Sequence, residues 1–122
     1  MNKITRYGIF FGIILVLGGL IAWYQLTPGK YDKLATCLKD SGTVFYGAFW
    51  CPHCQATKQM FSKSARLLPY VECSTPDGKS QQPVCRDAGI TGYPTWVFPD
   101  GSRLDGEQTI ETLAEKSMCP LE

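Results

Sequence analysis

The sequence predicts a small α/β domain on a mixed sheet of about four strands, carried behind one apolar membrane-spanning helix. Three observations lead there. Tyr7 to Leu26 is a run of 20 residues without a charge, and about 20 apolar residues cross the hydrocarbon core of a bilayer as a helix. From residue 31 onward, helical spacing and short β-rich runs follow the order helix, strand, helix, strand, short helix, hairpin, helix. A crossover helix between two strands makes them a parallel pair, and the hairpin adds antiparallel strands, so the sheet is mixed with helices on its faces. Finally, one strand runs directly into two cysteines at the start of a helix, Cys51-Pro52-His53-Cys54.

The 122 residues divide into an N-terminus over 1–6, an anchor over 7–26, a linker over 27–30 and one domain over 31–122. A cleaved signal peptide is the competing reading of the apolar run. Its core would be shorter and followed by a small-x-small site, which Leu20-Ile21-Ala22-Trp23-Tyr24 does not supply. Trp23 and Tyr24 suit the far membrane interface. Lys3 and Arg6 before the run place the N-terminus in the cytoplasm and the domain outside, in the periplasm or at the cell exterior. Beyond Leu26 there are 10 basic and 11 acidic side chains, a charge of about −1. No cluster of Lys and Arg suited to nucleic acid is present. Six cysteines in so short a chain fit an oxidising compartment.

The elements follow from local pattern. Tyr31 to Asp40 reads as a helix with Leu34, Ala35 and Leu38 on one face, ended by Ser41-Gly42. Thr43 to Trp50 is apolar and aromatic, as an interior strand is. Tyr46, Phe49, Trp50 and Trp96 are read mainly as core, with Trp50, beside the cysteines, a candidate substrate contact. Pro52 to about Arg66 carries Ala56, Met60, Phe61 and Ala65 at helical spacing, and Pro52 suits a first helical turn. Pro69 to Cys73 is a second short strand, and Ser74 to Gln82 a polar loop. Pro83 to Ala88 is a short helix stopped by Gly89. Thr95 to Phe98 and Ser102 to Leu104 flank Pro99-Asp100-Gly101 as a hairpin. Thr109 to Met118 forms the last helix.

The cysteine pair carries the chemistry. At a helix N-terminus, unpaired N–H groups and the helix dipole stabilise a thiolate, and the thiolate is the species that attacks disulfides. Cys51 is read as the attacking thiol and Cys54 as the resolving one. His53, the sole histidine, lies between them and is positioned to stabilise the Cys51 thiolate, making the disulfide a stronger oxidant. Its plain alternative is a solvated surface residue. A metal site would need two more ligands, which Cys73 and Cys85 are available to give. Cys37, Cys73, Cys85 and Cys119 allow three pairings. The simplest closes the loop with Cys73–Cys85, leaving Cys37–Cys119 to join the first and last helices of the domain. Free buried thiols are the alternative.

Trp50-Cys51-Pro52-His53-Cys54 on a strand-to-helix turn, with Gly92-Tyr93-Pro94-Thr95 about forty residues later, resembles the thioredoxin superfamily. The resemblance implies a thioredoxin-like fold, a cis-proline at Pro94 facing the cysteine pair, and Tyr93 as a substrate-contacting residue. Phe45 to Cys54, Pro69 to Ser74 and Ala88 to Trp96 further resemble the thioredoxin-like domain of bacterial and plant homologues of vitamin K epoxide reductase. That likeness supports the Cys73–Cys85 pairing and implies a free-standing partner of such a quinone-linked membrane enzyme. One position departs from the superfamily. Thioredoxins and the periplasmic disulfide oxidants carry a buried acid six residues before the first cysteine, and here that residue is Phe45.

The functional expectation is a membrane-anchored, extracytoplasmic thiol–disulfide oxidoreductase that donates disulfides to secreted proteins and, as the resemblance implies, is reoxidised by a quinone-linked vitamin K epoxide reductase-like membrane protein. Its only redox group is the Cys51–Cys54 disulfide, with no cofactor and no metal. A reductase or isomerase on the same site is the first alternative, and a non-catalytic disulfide-stapled binding module or metal site the second.

Overall fold

The structure, a computed structural model, describes residues 2–121; Met1 and Glu122, the ends of the expected first and last segments, lie outside them. The elements are α1 (Lys3–Leu26), α2 (Asp32–Asp40), β1 (Val44–Gly47), α3 (Pro52–Phe61), a 3-10 turn (Ser62–Leu67), β2 (Tyr70–Glu72), α4 (Pro83–Asp87), β3 (Thr95–Val97), β4 (Arg103–Asp105) and α5 (Ile110–Ser117). None of the residues of α1 is buried. Its 24 residues make it long and apolar enough to cross a membrane, and it starts at Lys3, one turn before the uncharged run. Where it ends, Lys63 from the 3-10 turn lies over the Tyr24 ring, its Nζ 4.5 Å from the centroid, and donates to Thr27 Oγ1 at 2.8 Å.

The sheet order is β2-β1-β3-β4, with β1 parallel to β2 and antiparallel to β3, and β3 antiparallel to β4. This is the mixed four-stranded sheet expected from the element order. Alternation along β1 sends Phe45 to one face and Tyr46 to the other. Phe45 is fully buried and pairs in register with Tyr70 on one side and Trp96 on the other. It stacks on Trp96 with centroids 4.5 Å apart and meets Tyr70 edge-on at 5.1 Å. Leu34, Ala35 and Leu38 of α2, Phe61 of α3, and Ile110, Leu113 and Ala114 of α5 complete the large core on that face. The opposite face holds a smaller cluster around Cys73, Cys85 and Ile90, against Tyr46, Val71 and Val97.

Within the domain, two boundaries differ from the sequence reading by more than one residue. The strand stops at Gly47, not Trp50. The Gly47 carbonyl takes the Cys73 N–H at 2.8 Å, and the Ala48 carbonyl then takes the Cys51 N–H at 3.1 Å, turning the chain out of the sheet. Phe49 and Trp50 therefore sit in a turn and are half-exposed, whereas Trp96 is core. The cysteine-bearing helix ends at Phe61 rather than near Arg66, because Ser62 breaks it at φ +50°. The break lets Ser64 turn inward, fully buried, where its Oγ accepts the Tyr31 N–H at 3.0 Å. The buried stripe of α3 is accordingly Cys54, Thr57 and Phe61, with Ala56 and Met60 at its margin.

Candidate active site

The site is assembled where β1 leaves the sheet and α3 begins. Cys51 is the N-cap of α3 and Pro52 fills the first turn, where no backbone donor is needed. The Cys51 sulfur accepts the Cys54 N–H at 3.4 Å. An N-cap acceptor satisfies a donor that the helix itself leaves unpaired, and it holds negative charge at the positive end of the helix dipole. Both cysteines are free thiols and both are buried, Cys51 with 4% of its surface exposed and Cys54 with none. Burial, reinforced by the neighbouring Cys51 sulfur, pushes the Cys54 thiol up from about 9 to about 12. One sulfur of the pair thus accepts a helix N-terminal N–H, and the other is held protonated by burial.

The second wall comes from the segment before β3. The Tyr93–Pro94 peptide is cis, Pro94 is fully buried, and the Tyr93 carbonyl lies 3.6 Å from Cys51 Sγ, within reach of its S–H. The Tyr93 ring meets Trp50 edge-on with centroids 5.8 Å apart. Trp50 Nε1 donates to Ser74 Oγ at 2.9 Å, and Gln55 Nε2 donates to the Phe49 carbonyl at 2.8 Å. Two half-exposed aromatic rings, Phe49 and Trp50, therefore stand on a fixed turn beside the cysteines. A concavity lined by Asp32, Lys33, Thr36 and Cys37 among others includes neither Cys51 nor Cys54.

His53 meets Glu107. Its Nδ1 is 3.1 Å from Glu107 Oε2, and 69% of its side-chain surface is exposed. The sequence reading held no place for Glu107, which lies 54 residues away and has no local signal. Cys37–Cys119 and Cys73–Cys85 are disulfides, with S–S distances of 2.00 and 2.03 Å. Cys73 and Cys85 are thus bonded to each other rather than gathered with the active pair. Among the described residues no group of three or more His, Cys, Asp and Glu is placed to hold a metal ion.

Sequence reading also missed Glu72. Its Oε1 accepts the backbone N–H of Phe49 at 3.2 Å and of Ser74 at 2.9 Å, and its Oε2 accepts the Tyr70 hydroxyl at 2.8 Å. One carboxylate thereby fixes the turn carrying Trp50 to the start of the disulfide loop.

A dithiol one helical turn apart, with one sulfur at a helix N-terminus and the other buried, is the site of a thiol–disulfide oxidoreductase. The chain belongs to the thioredoxin family, whose sequence model, described as Thioredoxin, matches residues 24–118. It is 45% identical over 87 residues to the thiol-disulfide oxidoreductase LTO1 of Arabidopsis thaliana, covering 67% of this chain and 23% of that protein. It is 33% identical over 123 residues to the probable protein disulfide-isomerase A6 of Medicago sativa, covering 93% of this chain and 33% of that protein. It is 38% identical over 70 residues to human protein disulfide-isomerase A2, covering 53% of this chain and 13% of that protein. The chain thus spans a third or less of the length of these relatives.

Proposed function

We propose that this chain is a membrane-anchored, extracytoplasmic thiol–disulfide oxidoreductase that donates disulfides to cysteine-containing proteins. In its oxidised form the Cys51–Cys54 disulfide is the redox group, and the reaction uses no dissociable cofactor. A substrate thiolate attacks Cys51 Sγ, a substrate–Cys51 bond forms, and the Cys51–Cys54 bond breaks with its electron pair leaving on Cys54, which takes up a proton. A second substrate thiolate then attacks the substrate sulfur of the mixed disulfide and releases Cys51 as a thiolate. Two substrate thiols become one disulfide, and the enzyme pair is reduced by two electrons.

The observation that carries this reading is the Cys51 sulfur at the N-cap of α3, accepting the Cys54 N–H at 3.4 Å. Stabilising the reduced, anionic form at this atom makes the disulfide a better oxidant. Trp50, Tyr93 and the backbone before Pro94 are the proposed substrate contacts, since a half-exposed aromatic shelf beside a shielded sulfur suits an extended protein segment. His53 is proposed to tune the pair through its charge. Two further disulfides, the apolar α1 and the Lys3 and Arg6 flank support a domain held outside the membrane. The likeness to a vitamin K epoxide reductase-associated domain makes a quinone-linked membrane protein of that kind the proposed reoxidant.

The similarity to two protein disulfide-isomerases favours isomerisation as the second reading. Redox equilibrium against glutathione separates both readings from a reductase. A potential of about −120 to −180 mV supports disulfide donation or isomerisation, and one near about −270 mV assigns a reductase. Cys51→Ser should abolish exchange; retained exchange would overturn every reading built on this pair.

A further inference from the structure

Thiol exchange at this site requires the Cys54 proton to move. The thiol has no exposed surface, burial holds it protonated at neutral pH, and sulfur attacks or leaves as thiolate. Phe45, packed between Trp96 and Tyr70, exchanges no proton. The titratable groups facing Cys54 are Cys51 and Lys58 on its own helix and Tyr70 on β2, with Glu72 bonded behind Tyr70.

Thiol and phenol both border Gly47, which carries no side chain to stand between them. A Cβ at that position would stand 3.0 Å from Cys54 Sγ, 3.4 Å from the Tyr70 hydroxyl oxygen and 2.7 Å from Tyr70 Cε2, so only glycine permits the approach. The Tyr70 hydroxyl donates to Glu72 Oε2 at 2.8 Å. Lys58 Nζ lies 3.6 Å from the centroid of the Tyr70 ring, placing a cation beside the same cluster. Burial and the Glu72 carboxylate push the Tyr70 phenol well above its usual range, so it stays neutral.

We infer that Tyr70 and Glu72 handle the Cys54 proton, the Tyr70 hydroxyl relaying it and the Glu72 carboxylate holding it. The inference rests on thiol–disulfide exchange at Cys51 and Cys54. When Cys54 attacks a mixed disulfide on Cys51, the Cys51–Cys54 bond forms and the partner sulfur leaves as a thiolate. The Cys54 proton passes to the Tyr70 oxygen as the Tyr70 proton passes to Glu72. Tyr70 ends neutral, Glu72 ends protonated, and the partner has gained two electrons. Reoxidation of the reduced pair by a partner disulfide uses this step, and disulfide donation runs it backwards.

The test uses the full chain in detergent with both structural disulfides intact. Cys51 is loaded with thionitrobenzoate at about pH 4, and release of the chromophore by Cys54 is started by a jump to pH 7. Tyr70→Phe keeps the ring against Phe45 and Lys58 and removes only the hydroxyl. Its release step should be slower by about a hundredfold or more, the lower end of general acid–base effects. The difference should close as pH rises toward the range where hydroxide takes the proton, and the loading step should be unchanged. Glu72→Gln should slow release in the same pH-dependent way, and any added change in loading is the part of Glu72 that anchors Phe49 and Ser74. Unchanged release in Tyr70→Phe, or a slowing equal at every pH, overturns the relay. Failure of the unmodified chain to load or release would instead sink the oxidoreductase reading beneath it.

Discussion

Cys51 and Cys54 on one side of the sheet and Cys73 and Cys85 on the other are all buried, yet one pair is placed to react and the other to hold. Burial does not separate them. Cys73 follows the end of β2, and Cys85 is the third residue of the short α4, in an apolar cluster with Ile90 and Val97. Cys51 caps a helix and receives an N–H, while Cys54 has Lys58 and Tyr70 as titratable neighbours, with Glu72 bonded to Tyr70. The same residue type serves as staple or as reactive group according to the donors and titratable neighbours within a few ångströms. The two regions are also joined. Ser74, next to the staple, holds the indole of Trp50, and Gly78 in the same loop lies under Trp50 and Phe49.

The contrast breaks most visibly in stability. Replacing both Cys37 and Cys119 by serine should cost about 4–5 kcal/mol, since the bridge closes a separation of 82 residues. The same change at Cys73 and Cys85, separated by 12, should cost about 3 kcal/mol. Serine at Cys51 and Cys54 should change the urea midpoint of the reduced chain far less while abolishing exchange. Comparable losses at all three pairs would erase the distinction. Gly47→Ala comes next. It should destabilise by about 1–3 kcal/mol through overpacking against Tyr70 and Cys54, and chromophore release should be disturbed more than loading.

A pH series sharpens the comparison further. Cys54 binds its proton more tightly folded than unfolded, so its contribution to stability is complete below about pH 9 and is lost as pH rises toward 12. The reduced chain should therefore lose more stability than Cys54→Ser between about pH 8 and pH 10, read by urea unfolding. Parallel curves would show that Cys54 is not held protonated by the fold. The smallest effect is expected at His53. His53→Ala should make the pair less oxidising by about 30 mV or less, because the ring is largely solvated and already paired with Glu107. A shift toward a more oxidising potential would reverse the assigned role.

Much of the frame was legible locally. Cys51-Pro52-His53-Cys54 after an apolar strand gave the strand-to-helix junction, and the spacing of Leu34, Ala35 and Leu38 gave the packing face of α2. The run from Phe45 to Trp50 misled at its end. Apolar aromatics read as buried strand wherever they fall, but the sheet hydrogen bonds end at Gly47, leaving Phe49 and Trp50 as a surface shelf.

By itself the sequence determined what depends on neighbours in the chain: the apolar span, the order of helices and strands, the hairpin turn and the thiol pair at a helix start. Periodicity and capping are local, so they can be read without coordinates. Tertiary structure alone decided that Glu107 meets His53, that Ser74 holds Trp50, and that Glu72 ties Tyr70 to the turn before Cys51. It also set Tyr70 beside Cys54 across Gly47. These contacts join residues that strand register and a crossover helix bring together, and no spacing along the chain encodes them.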